Sequence, residues 1–318
     1  MPGYSKNTVR SADGTAIGYR QYGSGPGLVL VHGGMRAAQH LSELAAALAD
    51  QFRVFVPDRR GRGSSPAYGT GSGLRQEVED LQALIAATGT RFVFGHSSGA
   101  LIALRTALVT PAVERTALYE PPLSVRGSSP SAWVSRFHRE IAAGKNAAAA
   151  VTALKGARLD PVLTRLPRWL LVPVTAAGMR DRHAAADDVP AADLVPTMRF
   201  DVQIAREMAD TTAEYAGLRA RVLLLGGTRS PDYLGTTLRE LAAVIPGSQL
   251  VTLPGLSHMA PLNSGKPETV AGALRDFFMG GLARQHSDLR GWPQQIVADN
   301  KFRLGSDGSG VDDVAEVA

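Results

Sequence analysis

Residues 95 to 99 read Gly-His-Ser-Ser-Gly, a G-x-S-x-G pentapeptide set between the apolar run Arg91 to Phe94 and the helix-like stretch Ala100 to Leu108. A serine on a sharp turn from strand to helix is held in a strained backbone conformation, and small neighbours let the chain pass close by. Its hydroxyl is then presented at the edge of a sheet, which makes Ser97 the nucleophile candidate. Acyl transfer by serine also needs a base to take its proton, an acid to orient that base, and paired N–H groups for the oxyanion. His258 fits the base: it sits in the loop Pro254-Gly255-Leu256-Ser257-His258-Met259, directly after the run Gln249 to Leu253. An imidazole titrates near neutrality and can accept and return a proton in one cycle. The turn His32-Gly33-Gly34-Met35 follows the run Leu28 to Val31, so the amides of Gly34 and Ser98 are the oxyanion candidates. An ordinary tight turn is the competing reading of those glycines. His32 and His96 read as braces of their loops.

These residues lie at the ends of short β-type runs. Such runs recur at Ala16 to Tyr22, Leu28 to Val31, Arg53 to Val56, Phe92 to Phe94, Thr116 to Tyr119, Val222 to Leu225 and Gln249 to Leu253. Most are separated by segments of helical period: Leu41 to Ala49, Gly73 to Ala87, Leu101 to Leu108, Thr236 to Val244 and Pro267 to Phe278. Alternation of this kind implies an α/β fold, a mostly parallel sheet covered on both faces. The first two runs, joined across Gly23 to Gly27, read as an antiparallel lead-in. The alternation stops after Glu120. From Pro121 to about Arg206 the chain is proline-punctuated, with helical pieces at Trp133 to Ile141 and Ala147 to Leu154. This reads as an inserted helical lid whose Trp133, Phe137, Trp169, Met179, Met198 and Phe200 either fill its own core or face a substrate. The resulting division is a core of residues 1–120 and 207–283, a lid of 121–206 and a loosely ordered tail of 284–318.

Composition excludes several classes. The chain has 318 residues, no cysteine and a net charge of +5. Disulfides, thiolate metal sites and cysteine nucleophiles are ruled out, and the seven histidines show no metal-ligand spacing. The basic residues are spread along the chain rather than clustered, which argues against nucleic acid. Arg59, Arg60 and Arg62 form one tight group, with a structural reading. No apolar stretch is long enough for a membrane span, and the start lacks a secretory pattern. The expectation is a soluble, cytoplasmic protein that needs no cofactor and no metal and takes a small-molecule substrate; oligomeric state is not legible.

The motifs His32-Gly33-Gly34, Pro57 to Ser65, Gly95 to Gly99 and Pro254 to His258 run in one order over roughly residues 13–279. In that order they resemble the α/β-hydrolase fold family. The resemblance implies an eight-stranded, mostly parallel sheet flanked by helices, a lid inserted after strand six, and a triad of nucleophile, acid and histidine. It also implies a structural role for Asp58 in the Pro57 to Ser65 loop. The family's acid usually follows strand seven, and that position falls here on Ser230, which cannot stabilise an imidazolium by charge. Two carboxylates could substitute. Glu120 ends the sixth run, ahead of Pro121-Pro122, and zearalenone-type lactone hydrolases are similar in placing a Glu there. Asp232 lies two residues past the customary position. A diad without an acid is the third option.

The resemblance implies a serine hydrolase of carboxylic esters or lactones, with Ser97, His258 and Glu120 as triad. Thioesterase, C–C bond hydrolase and perhydrolase activities share that apparatus and stay open. A serine nucleophile argues against epoxide hydrolase and dehalogenase chemistry. The rival of another class is a ligand-binding protein that keeps the fold without hydrolysis.

Overall fold

The computed structural model describes residues 3–69, 71–159, 161–179 and 187–280. The expected tail, 284–318, lies outside the described residues. Eight strands form a single sheet: β1 Ser5–Arg10, β2 Ala16–Tyr22, β3 Gly27–Val31, β4 Arg53–Pro57, β5 Phe92–His96, β6 Arg115–Tyr119, β7 Arg221–Gly227 and β8 Gln249–Leu253. Their spatial order is β1-β2-β4-β3-β5-β6-β7-β8. From β4 onward every neighbouring pair is parallel, with Val31 beside Gly95, His96 beside Tyr119 and Gly227 beside Leu253. The carboxyl ends of β3, β5, β6, β7 and β8 therefore open onto one edge, where ligands bind in open α/β sheets.

The expected antiparallel lead-in is corrected in one respect. β2 pairs antiparallel with β1 and β4, whereas β3 lies between β4 and β5 in parallel register. Strand β1, absent from the sequence reading, is Ser-Lys-Asn-Thr-Val-Arg and almost wholly exposed. An edge strand of that composition buries no face and so carries no hydrophobic alternation.

Period-two alternation distributes the central strands between two cores. Leu28, Leu30, Val54, Val56, Phe92 and Phe94 pack with Leu44 and Leu48 of helix α1 (Ser42–Leu48) and Leu274 and Phe278 of the helix Pro267–Met279. Val29, Val31, Phe55 and Val93 face the other way, onto α2 (Leu74–Thr88) and α3 (Ser98–Val109). Between β6 and β7 the described chain is helical: α4 Val134–Ala142, α5 Asn146–Gly156, α6 Pro161–Arg165, α7 Arg168–Gly178, α8 Ala191–Leu194 and α9 Met198–Glu207. This insertion has its own small core of Phe137, Ala149, Ala153 and Val195. α10 Asp232–Val244 and the Pro267–Met279 helix, α11, flank β8 in sequence. Among the described residues, no helix is long and apolar enough to cross a membrane.

Candidate active site

Ser97 stands between the last residue of β5 and the first of α3, with φ 56° and ψ −126°. A non-glycine residue so far from the usual regions is strained, and strain of this kind marks functional turns. The flanking glycines are required by close approach: a Cβ on Gly95 would lie 2.4 Å from the Gly99 carbonyl oxygen, and one on Gly99 would lie 2.3 Å from that of Val31. The Ser97 amide is tied to the Tyr119 carbonyl at 2.9 Å, so the nucleophile candidate is anchored on its neighbouring strand.

His258 is buried, and its Nδ1 lies 2.7 Å from Oε2 of Glu120. Glu120 is the residue after β6, has φ 50° and is also buried. Its other oxygen, Oε1, accepts the Gly227 amide at 2.7 Å, and its own amide donates to Leu225 at 3.0 Å. Both carboxylate oxygens are thus satisfied, one by the end of β7 and one by the loop after β8. The loop that carries His258 is held by the Tyr119 hydroxyl on the Ser257 carbonyl at 2.9 Å. It is held as well by His96, whose Nε2 donates to the His258 carbonyl at 2.9 Å. Burial, then the neighbouring His258, push His96 well below the ordinary imidazole pKa, so it stays neutral. Burial acts alike on His32, followed by Arg62 and Arg59. His96 thus braces the loop of His258, and the His32 carbonyl accepts Arg59 Nη1 at 3.3 Å.

Ser97 and His258 line one cavity of about 420 Å³, together with Gly34, Met35, Ser98, Pro122, Trp133, Leu154, Met198 and Asp201. Core and insertion both contribute to that wall. No hydrogen bond joins the Ser97 and His258 side chains among the described residues; bonds of this kind commonly tighten only around a bound substrate. The amides of Gly34 and Ser98 likewise have no hydrogen-bond partner among the described residues. Gly33 packs against the nucleophile, where a Cβ would meet that of Ser97 at 2.7 Å.

The other sequence candidates lie elsewhere. Asp232 is exposed in the first turn of α10 and lines, with Ser230, a depression distinct from the cavity that His258 lines. Of the insertion's apolar residues, Trp133 and Met198 reach the cavity, Phe137 is in the insertion's core, Phe200 stacks on Tyr68, and Trp169 is 77% exposed.

Asp201, on α9, went unrecognised in the sequence. Its Oδ1 accepts Arg59 Nη1 and Ser98 Oγ, each at 2.7 Å, and its Oδ2 accepts Arg62 Nη2 at 2.7 Å. Arg59 also forms a fork with Glu77 at 2.8 and 3.0 Å. Burial opposes ionisation of Asp201, but the two guanidinium groups and the Ser98 hydroxyl outweigh it and hold the carboxyl below its usual range. This buried network fastens the insertion to the loop after β4, beside the residue that follows the nucleophile. One acidic residue on an amphipathic helix gives no hint of such a role.

The strand order, the turn at Ser97 and the shared cavity have a counterpart in sequence, since the model of the alpha/beta hydrolase family matches residues 28–273. This chain belongs to that family. Among solved alpha/beta hydrolases, one from Sphaerobacter thermophilus is 30% identical, with a TM-score of 0.71 over 86% of this chain and 100% of that one. The pimeloyl-[acyl-carrier protein] methyl ester esterase of Stenotrophomonas maltophilia is 29% identical over 270 residues, 80% of this chain and 93% of the esterase. The uncharacterized hydrolase YraK of Bacillus subtilis is 37% identical over 102 residues. That match takes in 31% of this chain and 38% of YraK, well under half its length.

Proposed function

We propose that this protein is a serine hydrolase of carboxylic esters or lactones, working through an acyl-enzyme. The observation that carries the reading is the 2.7 Å contact of His258 Nδ1 with Glu120, in a ring that shares its cavity with Ser97. In this scheme Ser97 Oγ attacks the carbonyl carbon while His258 Nε2 takes its proton. Glu120 holds the ring in the tautomer with Nδ1–H and stabilises the imidazolium. The amides of Gly34 and Ser98 receive the charge that develops on the carbonyl oxygen. The tetrahedral intermediate collapses as His258 returns the proton to the leaving alkoxide, which departs as alcohol; in a lactone it remains attached as the hydroxyl end of the acyl chain. Water, deprotonated by the same nitrogen, then attacks the acyl carbon and restores the serine.

The helical insertion serves as the lid in this reading, since its Trp133, Leu154 and Met198 line the same cavity as Ser97. A wall that is mainly apolar by area but also carries Arg36, Arg206 and several serines suits a small organic acyl group with a polar substituent. The methyl ester esterase among the relatives supports the ester assignment. The test is turnover of p-nitrophenyl esters of graded acyl length beside several lactones, by wild type and Ser97→Ala. Hydrolysis by wild type that disappears in the variant is expected. Equal turnover by both proteins, or none by folded wild type on any substrate, would refute the reading.

A further inference from the structure

The cavity contains a cation that this chemistry leaves idle. Arg36 follows the glycine turn after β3 and lines the cavity with Gly34, Ser97 and His258. Its guanidinium donates to the Met35 carbonyl at 3.0 Å and makes no ion pair among the described residues. The buried arginines nearby in sequence are matched: Arg59 by Glu77 and Asp201, Arg60 by Asp80, Arg62 by Asp201. The carboxylates of the site are already committed. Asp201, the acidic side chain in the cavity wall, has both oxygens on Arg59, Ser98 and Arg62, and Glu120 is divided between His258 and the Gly227 amide. Arg206 lines the cavity too, but it is exposed in the last turn of α9, where a cation complements the helix dipole. Among the described residues no such partner serves Arg36, and burial works against its charge.

Arg36 is half-buried in the cavity wall; a guanidinium partly withdrawn from water is favoured when an anion meets it, and its planar fork matches a carboxylate. We propose that the substrate brings that anion: Arg36 pairs with a carboxylate on the substrate, so the enzyme prefers carboxylate-bearing esters or lactones to neutral ones. The inference rests on the hydrolase reading and adds to it the substrate class.

The test compares p-nitrophenyl hydrogen succinate, glutarate and adipate with their methyl-capped neutral counterparts, in wild type, Arg36→Gln and Arg36→Lys. In wild type, kcat/KM for the best half-ester should exceed that of its neutral counterpart about tenfold or more. The ratio should fall toward one in Arg36→Gln and be partly kept in Arg36→Lys. No anionic preference at any chain length, or a preference that survives in Arg36→Gln, would overturn the proposal. Calorimetry on Ser97→Ala with glutarate and with dimethyl glutarate separates this from the hydrolase reading. Glutarate should bind more tightly, and the added Arg36→Gln change should abolish the difference. Neutral turnover with no glutarate preference refutes the role of Arg36 alone; glutarate binding through Arg36 with no turnover of any ester refutes the hydrolase reading and leaves the anion site standing.

Discussion

His258 Nδ1 and Glu120 Oε2 meet at 2.7 Å although 138 residues separate them in the chain. The carboxylate that the histidine meets lies at the end of β6, while the loop after β7 carries Ser230. Glu120 can reach the ring because its left-handed backbone turns the side chain back over the sheet edge, where the Gly227 amide fixes the second oxygen. The strain of that turn is offset by two hydrogen bonds to a buried carboxylate.

Glu120→Gln should lower kcat by about 10²- to 10⁴-fold, because the amide can orient the ring but cannot stabilise its cation. KM should move little. Asp232→Asn, on an exposed residue, should leave both parameters within about twofold. Steady-state kinetics on a p-nitrophenyl ester would check the pair, and the reverse ranking would refute the assignment.

Asp201→Asn should unfold the protein more readily, by about 3–5 kcal/mol, since it leaves Arg59 and Arg62 buried with one carboxylate fewer between them. Urea denaturation would measure this. A loss below about 1 kcal/mol would mean that the network relaxes into other partners.

Acid should weaken the fold through His40. Burial, and after it Arg36, depress this imidazole from 6.5 to about 4, and its Nδ1 accepts the Ala37 amide at 3.2 Å. The folded state therefore binds fewer protons than the unfolded chain between those values, and stability rises with pH across that window. The penalty is absent above about pH 6.5 and complete below about pH 4. His40→Gln, which keeps an acceptor, should flatten the dependence of Tm on pH between 4 and 6.5. His32 and His96 act in the same direction and should leave a residual slope. An unchanged slope in the variant would contradict the role of His40.

The central strands were legible because each buries both faces and ends at a glycine or charged turn, as at Val31 to Gly34 and His96 to Gly99. Their order was not, since pairing is set by crossovers that local pattern does not encode; hence β2 was placed beside β3 rather than between β1 and β4. Polar β1 gave no periodic signal. Ser97 and His258 stood out through their turns and Glu120 through its place at a strand end. Asp201 and Arg36 did not, because their roles depend on which partners the fold sets around them: Asp201 gains two guanidinium groups, and Arg36 receives no carboxylate among the described residues.

The most direct test of the central claim, that Ser97 is a nucleophile activated by His258, is labelling with a fluorophosphonate followed by peptide mapping. The account predicts stoichiometric modification at Ser97 in wild type, a rate reduced by orders of magnitude in His258→Ala, and none in Ser97→Ala. Modification at another residue, or an unlabelled Ser97 in folded wild-type protein, would contradict it.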